Sequence, residues 1–492
     1  MPDPVTSSPD PAGADESPSA ASSAASAIGR FARVVSRLRG TRSGPADNEL
    51  AEVGPDLSDD DLALLRTKVD QAISPSSAPE AARARVAEIG AAYLLLSDVG
   101  KIRFFDLLAS SYGIDEDAVS AALKRRSISS TDDLVLAEID AQLRQSLEPA
   151  RVRLFRYFSG LDNGVKFLVD LRADVRRLRN DADSPGSAAN TGRRILDGEL
   201  RDLLSSWFDI GLLQLERITW STSAEVLEKL IEYEAVHDIT SWDHLKRRLA
   251  PDRRLYAFFH PGMPAEPLIF VEVALTVGIS DAIEPLIDAD EPVIDPDEAD
   301  TAIFYSISNC QDGLAGVPLG DFLIKRVVAE VSHNLPGISV FSTLSPMPGF
   351  HRWVDEQIDA GGLRTDEQEV IALIATTDEW WTLDDAVTAA KPALTGLAAR
   401  YLLSERSDTS NSGGPRVLDP VARFHLSNGA RVERLLFLAN PTAVGQQRGL
   451  GMMVNYRYVP DHLDNNQDAY LNRNEVVASD QVRELLGAGE RA

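Results

Sequence analysis

Four stretches of this sequence hold residue types and spacings that could do chemistry. Gly313-Leu-Ala-Gly-Val-Pro-Leu-Gly320 follows the apolar run AIFYSIS (302–308) and leads into DFLIKRVVAEV. A glycine-rich turn feeding a helix presents free backbone N–H groups and the positive end of a helix dipole, which suits a phosphate or an oxyanion. The turn is neither Walker A nor GxGxxG, and a tight strand-to-helix connection would look the same. Lys325-Arg326, a turn and a half further on, would add cations for the distal phosphates of a nucleotide-like ligand. In FSTLSPMPGF (341–350), proline biases Ser345 toward an extended conformation, so its hydroxyl should project from a strand end where loops gather, or simply mark a turn. In DPVARFHLSNG (419–429), alternation puts Ala422, Phe424 and Leu426 on one face and Arg423, His425 and Ser427 on the other. His425 is then either a hydrogen-bonded structural group or an acid/base. In GMMVNYRY (451–458) the same alternation puts Tyr456 and Tyr458 on one face. The remaining histidines, His237, His244, His260, His333, His351 and His462, show no HxxxH or HxH spacing, which argues against a metal site.

The elements that must hold these residues change character along the chain. Residues 1–27 are almost wholly Pro, Ser, Ala, Asp and Gly, too poor in apolar groups to offset their ordering entropy. A short basic amphipathic piece, Ile28–Arg42, follows, and residues 1–56 are together expected to be a tail. From Leu57 the pattern is helical. Ser58 stands three before Asp61 in a capping-box arrangement, and 3.6-period units recur at Pro79–Leu96, Val99–Tyr112, Glu116–Arg126, Asp132–Leu147, Ala150–Phe158, Val165–Leu178, Gly198–Leu213 and Ala224–Tyr233. After Pro251 strand-like runs appear at Leu255–His260, Pro267–Thr276, Ile303–Ser308, Ile338–Leu344, Val421–Leu426, Arg431–Leu438 and Met453–Val459. The expected fold is therefore an N-terminal all-α helical bundle (57–214) followed by a mixed α/β catalytic domain (215–492).

Composition narrows the function. With 492 residues, 44% apolar and 25% charged, the chain can bury a sizeable core and is not fibrous or wholly disordered. Its net charge of −27 repels polyanions and anionic surfaces, so neither nucleic acid nor a membrane surface is an expected partner. No apolar run approaches the ~18 residues of a membrane span. The single cysteine, Cys310, excludes an intrachain disulfide and multi-Cys metal sites and fits a cytoplasmic protein. The acidic run Asp281–Asp300 reads as a solvated loop. Away from it, Lys246, Arg247, Arg248, Arg253, Arg254, Lys325 and Arg326 could give the catalytic part a locally positive field, since salt screens over roughly 8 Å.

Taken together, HPGMPAEPLIFVEVALT (260–276), AIFYSISNCQDGLAGVPLGDFLIKRVV (302–328), FSTLSPMPGF, DPVARFHLSNGARVERL (419–435) and GMMVNYRY closely resemble the malonyl-CoA decarboxylase family. LLQLERITW (212–220) and EAVHDITSWDHLKRRL (234–249) extend the resemblance into the helical half. It implies a helical domain used for homo-oligomerisation and a catalytic domain of the acyl-CoA N-acetyltransferase (GNAT) fold. It also implies conversion of malonyl-CoA to acetyl-CoA and CO2 with no metal or biotin cofactor. On the matching motifs, it places catalytic roles on Ser345, His425 and Tyr458. Substrate contacts fall on Ser345, His425 and the coenzyme A loop Ala315, Gly316, Val317, Pro318, Leu319, Gly320 and Asp321. Pro318 departs from the family, which carries an acidic residue there, and Gly449-Leu450 replaces small polar residues. The last residues, Glu490-Arg491-Ala492, lack an SKL address, so peroxisomal import is not expected. Two other readings keep the coenzyme A site: a GNAT-type acyltransferase that passes the acyl group to an amine, and a catalytically silent acyl-CoA-binding scaffold. With its ordinary pKa near ~6.5, His425 is expected to hold and release a proton at neutral pH.

Overall fold

The computed structural model describes residues 49–128, 133–179, 188–317, 319, 323–407 and 416–489. The chain divides into two compact units, the first ending at Asp202 and the second starting at Leu203. The segment Ile28–Arg42 and residues 1–27 lie outside the described residues, whereas Glu49–Glu52, placed in the tail from sequence, forms a 3-10 turn that buries Leu50.

The first unit is helical: α1 (Asp59–Ile73), α2 (Pro79–Tyr93), α3 (Asp98–Ser111), α4 (Glu116–Ile128), α5 (Asp133–Ser146), α6 (Ala150–Ser159), α7 (Gly164–Leu178) and α8 (Ala188–Trp207), within which the chain passes into the second unit. The expected capping box is present: the Ser58 hydroxyl accepts from Asp61 N at 3.3 Å and the Asp61 carboxylate from Ser58 N at 3.1 Å.

The second unit begins with β1 (Gln214–Ile218), α9 (Ala224–Tyr233), α10 (Trp242–Arg248), β2 (Arg253–Phe259), β3 (Ile269–Thr276), α11 (Glu284–Ile287), β4 (Thr301–Asn309) and α12 (Leu323–Asn334). It continues with β5 (Val340–Thr343), β6 (Ser345–Pro346), α13 (Phe350–Ala360), α14 (Thr365–Thr376), α15 (Asp384–Leu403), β7 (Arg406–Ser407), β8 (Arg416–Val417), α16 (Pro420–Ser427), β9 (Arg431–Leu436), α17 (Ala443–Gly449), β10 (Met453–Tyr458), α18 (Leu463–Arg473) and α19 (Asp480–Gly489). The main sheet has the order β1-β2-β3-β4-β5-β10-β6, with β9 also pairing β10, and β1 to β4 run antiparallel. This mixed sheet with helices is the arrangement expected of a GNAT-like catalytic domain.

Two features of the sheet make room for a ligand. β4 pairs β5 in parallel over Thr301–Phe304, with Leu344 N bonding Phe304 O, and among the described residues no strand pairs the rest of β4 on that side. Within the same stretch the β3–β4 register slips: Glu272 faces Ser306 but Val273 faces Phe304, which leaves Tyr305 as the extra residue of a bulge. A bulge frees backbone groups from the ladder and re-aims side chains.

One strand expectation fails. Residues 421–426 are helical, inside α16. The Asp419 carboxylate accepts from Ala422 N at 2.8 Å and Pro420 occupies the first helical turn, an N-cap and proline pairing that starts helices. The buried positions Ala422, His425 and Leu426 follow 3.6-residue spacing, which six residues of apparent alternation cannot separate from a period of two. Among the described residues no helix is long and apolar enough to cross a membrane.

Candidate active site

Ser345 sits where β5 gives way to β6, in register with Val454 of β10, so the strand end inferred from Ser-Pro is present. Its hydroxyl donates to Thr343 Oγ1 at 2.9 Å, and that oxygen is itself held by Tyr456 N at 3.0 Å. α16 brings His425 to the same point, with Nε2 3.0 Å from Ser345 Oγ. On its other side Nδ1 lies 2.7 Å from the Tyr458 hydroxyl. Ser345 and His425 are 80 positions apart and Tyr458 a further 33, yet the three form one hydrogen-bonded chain. Tyr456 completes the setting: its ring stacks on the His425 imidazole at 4.6 Å and 25°. The alternation that put Tyr456 and Tyr458 on one face carried that signal, although only Tyr458 had been assigned a role.

The network also fixes where the protons sit. Burial pushes the Tyr458 phenol well above its ordinary range, so it stays protonated and donates to Nδ1. The ring then carries its hydrogen on Nε2 and donates it to Ser345 Oγ, whose own hydrogen goes to Thr343. Burial pushes the His425 imidazolium down to about 3, so the ring is neutral at physiological pH. The sequence expectation of a histidine near its ordinary value is corrected here: among the described residues no counter-charge lies beside it, so a desolvated imidazolium is unfavourable.

Ser345 and His425 line a cavity of about 240 Å³ in the opening between β4 and β6. Phe304, Ser306, Pro346 and Phe424 also line it, and none of the lining side chains is charged. Its β4 wall is itself clamped. The buried Glu234 carboxylate accepts the Ser306 hydroxyl at 2.8 Å, Val236 N at 2.8 Å and His237 N at 3.0 Å. Among the described residues no group of His, Cys, Asp or Glu side chains could hold a metal ion.

The loop expected to hold coenzyme A is described in part. It leaves β4 through a 3-10 turn at Asp312–Leu314, Gly316 takes a left-handed φ of +78°, and Val317 and Leu319 are buried. Pro318, Gly320 and Asp321 lie outside the described residues. β4 lines the cavity as far as Asn309, so cavity and loop share one strand.

The expected cationic field is largely spent inside the fold. Arg247 pairs with Asp252 at 2.8 Å, Arg253 with Asp252 at 2.9 Å and Arg248 with Glu272 at 3.0 Å, all buried. Arg254 donates to the Pro251 and Arg253 carbonyls. Arg326 donates to Leu213 O at 3.0 Å and lies over the Phe258 ring, though the residue as a whole stays exposed. Lys325 donates to Gln467 Oε1 at 3.1 Å, lies 3.7 Å from the Asp464 carboxylate and is only partly buried.

The sequence matches two family models: the malonyl-CoA decarboxylase N-terminal domain over residues 112–208 and the malonyl-CoA decarboxylase C-terminal domain over residues 211–492. The mitochondrial malonyl-CoA decarboxylase of Rattus norvegicus is 36% identical over 404 residues, spanning 77% of this chain and 80% of that protein. The crystal structure of a malonyl-CoA decarboxylase from Rhodopseudomonas palustris superposes with a TM-score of 0.78 at 38% identity, covering 86% of this chain and 99% of the other. That from Agrobacterium vitis gives the same values.

Proposed function

The chain belongs to the malonyl-CoA decarboxylase family, and from that premise we propose that it converts malonyl-CoA to acetyl-CoA and CO2 at the Ser345–His425–Tyr458 chain. The observation that carries this reading is the 3.0 Å contact between Ser345 Oγ and a neutral His425 on the wall of an uncharged cavity.

Breaking the bond between the carboxylate carbon and the α-carbon sends its electron pair into an enolate, with charge on the thioester oxygen, while CO2 leaves neutral. A cavity lined by uncharged side chains solvates the carboxylate poorly and so favours its loss as CO2. The enolate oxygen needs donors fixed in advance, each worth roughly 3 kcal/mol. The free edge of β4 around the Tyr305 bulge is well placed to supply backbone N–H groups, and it borders the cavity directly. The enolate carbon, a far stronger base than a serine oxygen, takes the proton of Ser345. Nε2–H of His425 replaces it as the Tyr458 proton passes to Nδ1, which keeps the ring neutral and leaves the charge on the phenolate, and solvent returns the one proton consumed per turnover. Ala315–Asp321 and Lys325 hold the coenzyme A phosphates in this scheme. Homo-oligomerisation through the helical unit and a cytoplasmic location belong to the same proposal, the latter supported by Cys310 being a buried free thiol.

The test is incubation with malonyl-CoA and no acyl acceptor: equal amounts of CO2 and acetyl-CoA are expected. An acyltransferase or a silent scaffold would leave malonyl-CoA intact. A second expectation concerns pH. A histidine whose folded pKa is lowered from 6.5 to about 3 is neutral in the folded chain while the unfolded chain protonates, so its burial costs stability as pH falls below about 6.5. The ring nitrogens of His425, followed by ¹⁵N NMR, should keep the neutral signature from pH 8 to pH 5, whereas an imidazolium at pH 6 would overturn the assignment.

A further inference from the structure

Ser345 and His425 sit on separate elements, a strand end and a helix, and their hydrogen bond survives only if those elements are held at a fixed separation. One buried side chain outside the cavity touches segments that flank both carriers. Tyr401, on α15, is 2% exposed, and its hydroxyl lies 3.3 Å from Asp419 Oδ2. Asp419 is fully buried and, through Oδ1, caps α16, the helix that carries His425. The same hydroxyl fills the space over Gly349, where a Cβ would stand 2.6 Å from it. Gly349 closes the segment Ser345-Pro-Met-Pro-Gly349 and opens α13, whose Phe350 and Trp353 rings pack on the Tyr401 ring at 5.6 and 5.3 Å. The phenol therefore stands between the serine segment on one side and the cap of the histidine helix on the other.

We propose that Tyr401 and Asp419 are positioning residues that set the Ser345–His425 hydrogen bond. The inference rests on the reading of Ser345 and His425 as the reacting pair. Neither Tyr401 nor Asp419 lines the cavity, and Asp419 acts through the first turn of α16. A misplacement of reacting groups by a fraction of an ångström is enough to slow a step that depends on their alignment.

The experiment is a cycle on the full chain. Tyr401→Phe removes only the hydroxyl, and its kcat is expected to fall about tenfold with KM within about twofold, provided Ser345 is present. In the Ser345→Ala background the same change should have no further effect, because the bond that it positions is already gone. Asp419→Ala should resemble Tyr401→Phe, and Asp419→Asn, whose oxygen keeps the cap on Ala422 N while its Nδ2 can donate to the Tyr401 hydroxyl, should recover most of the rate. An unchanged kcat in Tyr401→Phe, or the same fractional loss in both backgrounds, would overturn the proposal, since a merely structural role lowers activity regardless of Ser345. Failure of the catalytic reading looks different: Ser345→Ala alone would then run at full rate.

Discussion

The His425→Asn chain is expected to release CO2 from malonyl-CoA about 10²–10³-fold more slowly than the unchanged chain, with KM moving by no more than a few-fold. The size follows from what a positioned proton donor contributes to a rate, typically 10²–10⁴. The direction follows from the network: asparagine is uncharged, as His425 already is, but it cannot span from Ser345 Oγ at 3.0 Å to the Tyr458 hydroxyl at 2.7 Å. It also lacks the ring that stacks on Tyr456. Because the two groups act as a unit, adding Ser345→Ala to His425→Asn should cost far less than the product of the single effects. Steady-state kinetics of the four chains reads this out. Near-equal kcat for His425→Asn and the unchanged chain would remove the histidine from the reaction.

The largest expected effect on stability is at Gly429, which ends the helix carrying His425. Its φ is +85°, and a Cβ there would drive into the Leu463 carbonyl oxygen and neighbouring backbone. Gly278 has a similar φ of +75° but open space around the missing Cβ. An alanine at Gly278 should therefore cost only the left-handed backbone term, about 1 kcal/mol. At Gly429 the same term is joined by a backbone shift, for a total of about 3 kcal/mol or more. Paired urea or thermal melts measure the difference, and equal losses at the two glycines would show that the close approach to Leu463 carries no energy. Gly429→Ala should also lower kcat, because the displaced backbone leads straight back into α16.

Much of this site was legible from sequence because its parts lie in local patterns. Ser-Pro after an apolar run marked a strand end, alternation paired Tyr456 with Tyr458, and the helical half declared itself through caps and 3.6-residue spacing. His425 was found, but on the wrong element. A short run such as VARFHL fits either period, and the deciding signal was the Asp419-Pro420 cap just before it. The basic cluster misled for a different reason. Charge counting cannot show that Arg247, Arg248 and Arg253 point inward to Asp252 and Glu272, since those pairings depend on the fold. Tyr401 was invisible for the same cause: nothing in its neighbourhood of α15 announces a contact with both Gly349 and Asp419.

The central claim, that the Ser345–His425 pair drives loss of CO2, is tested most directly by kcat for CO2 release from malonyl-CoA, without acceptor, in Ser345→Ala beside the unchanged chain. The expected result is matched CO2 and acetyl-CoA from the unchanged chain and a kcat lower by about 10²-fold in the variant, with little change in KM. A Ser345→Ala chain that released CO2 at the unchanged rate would contradict it.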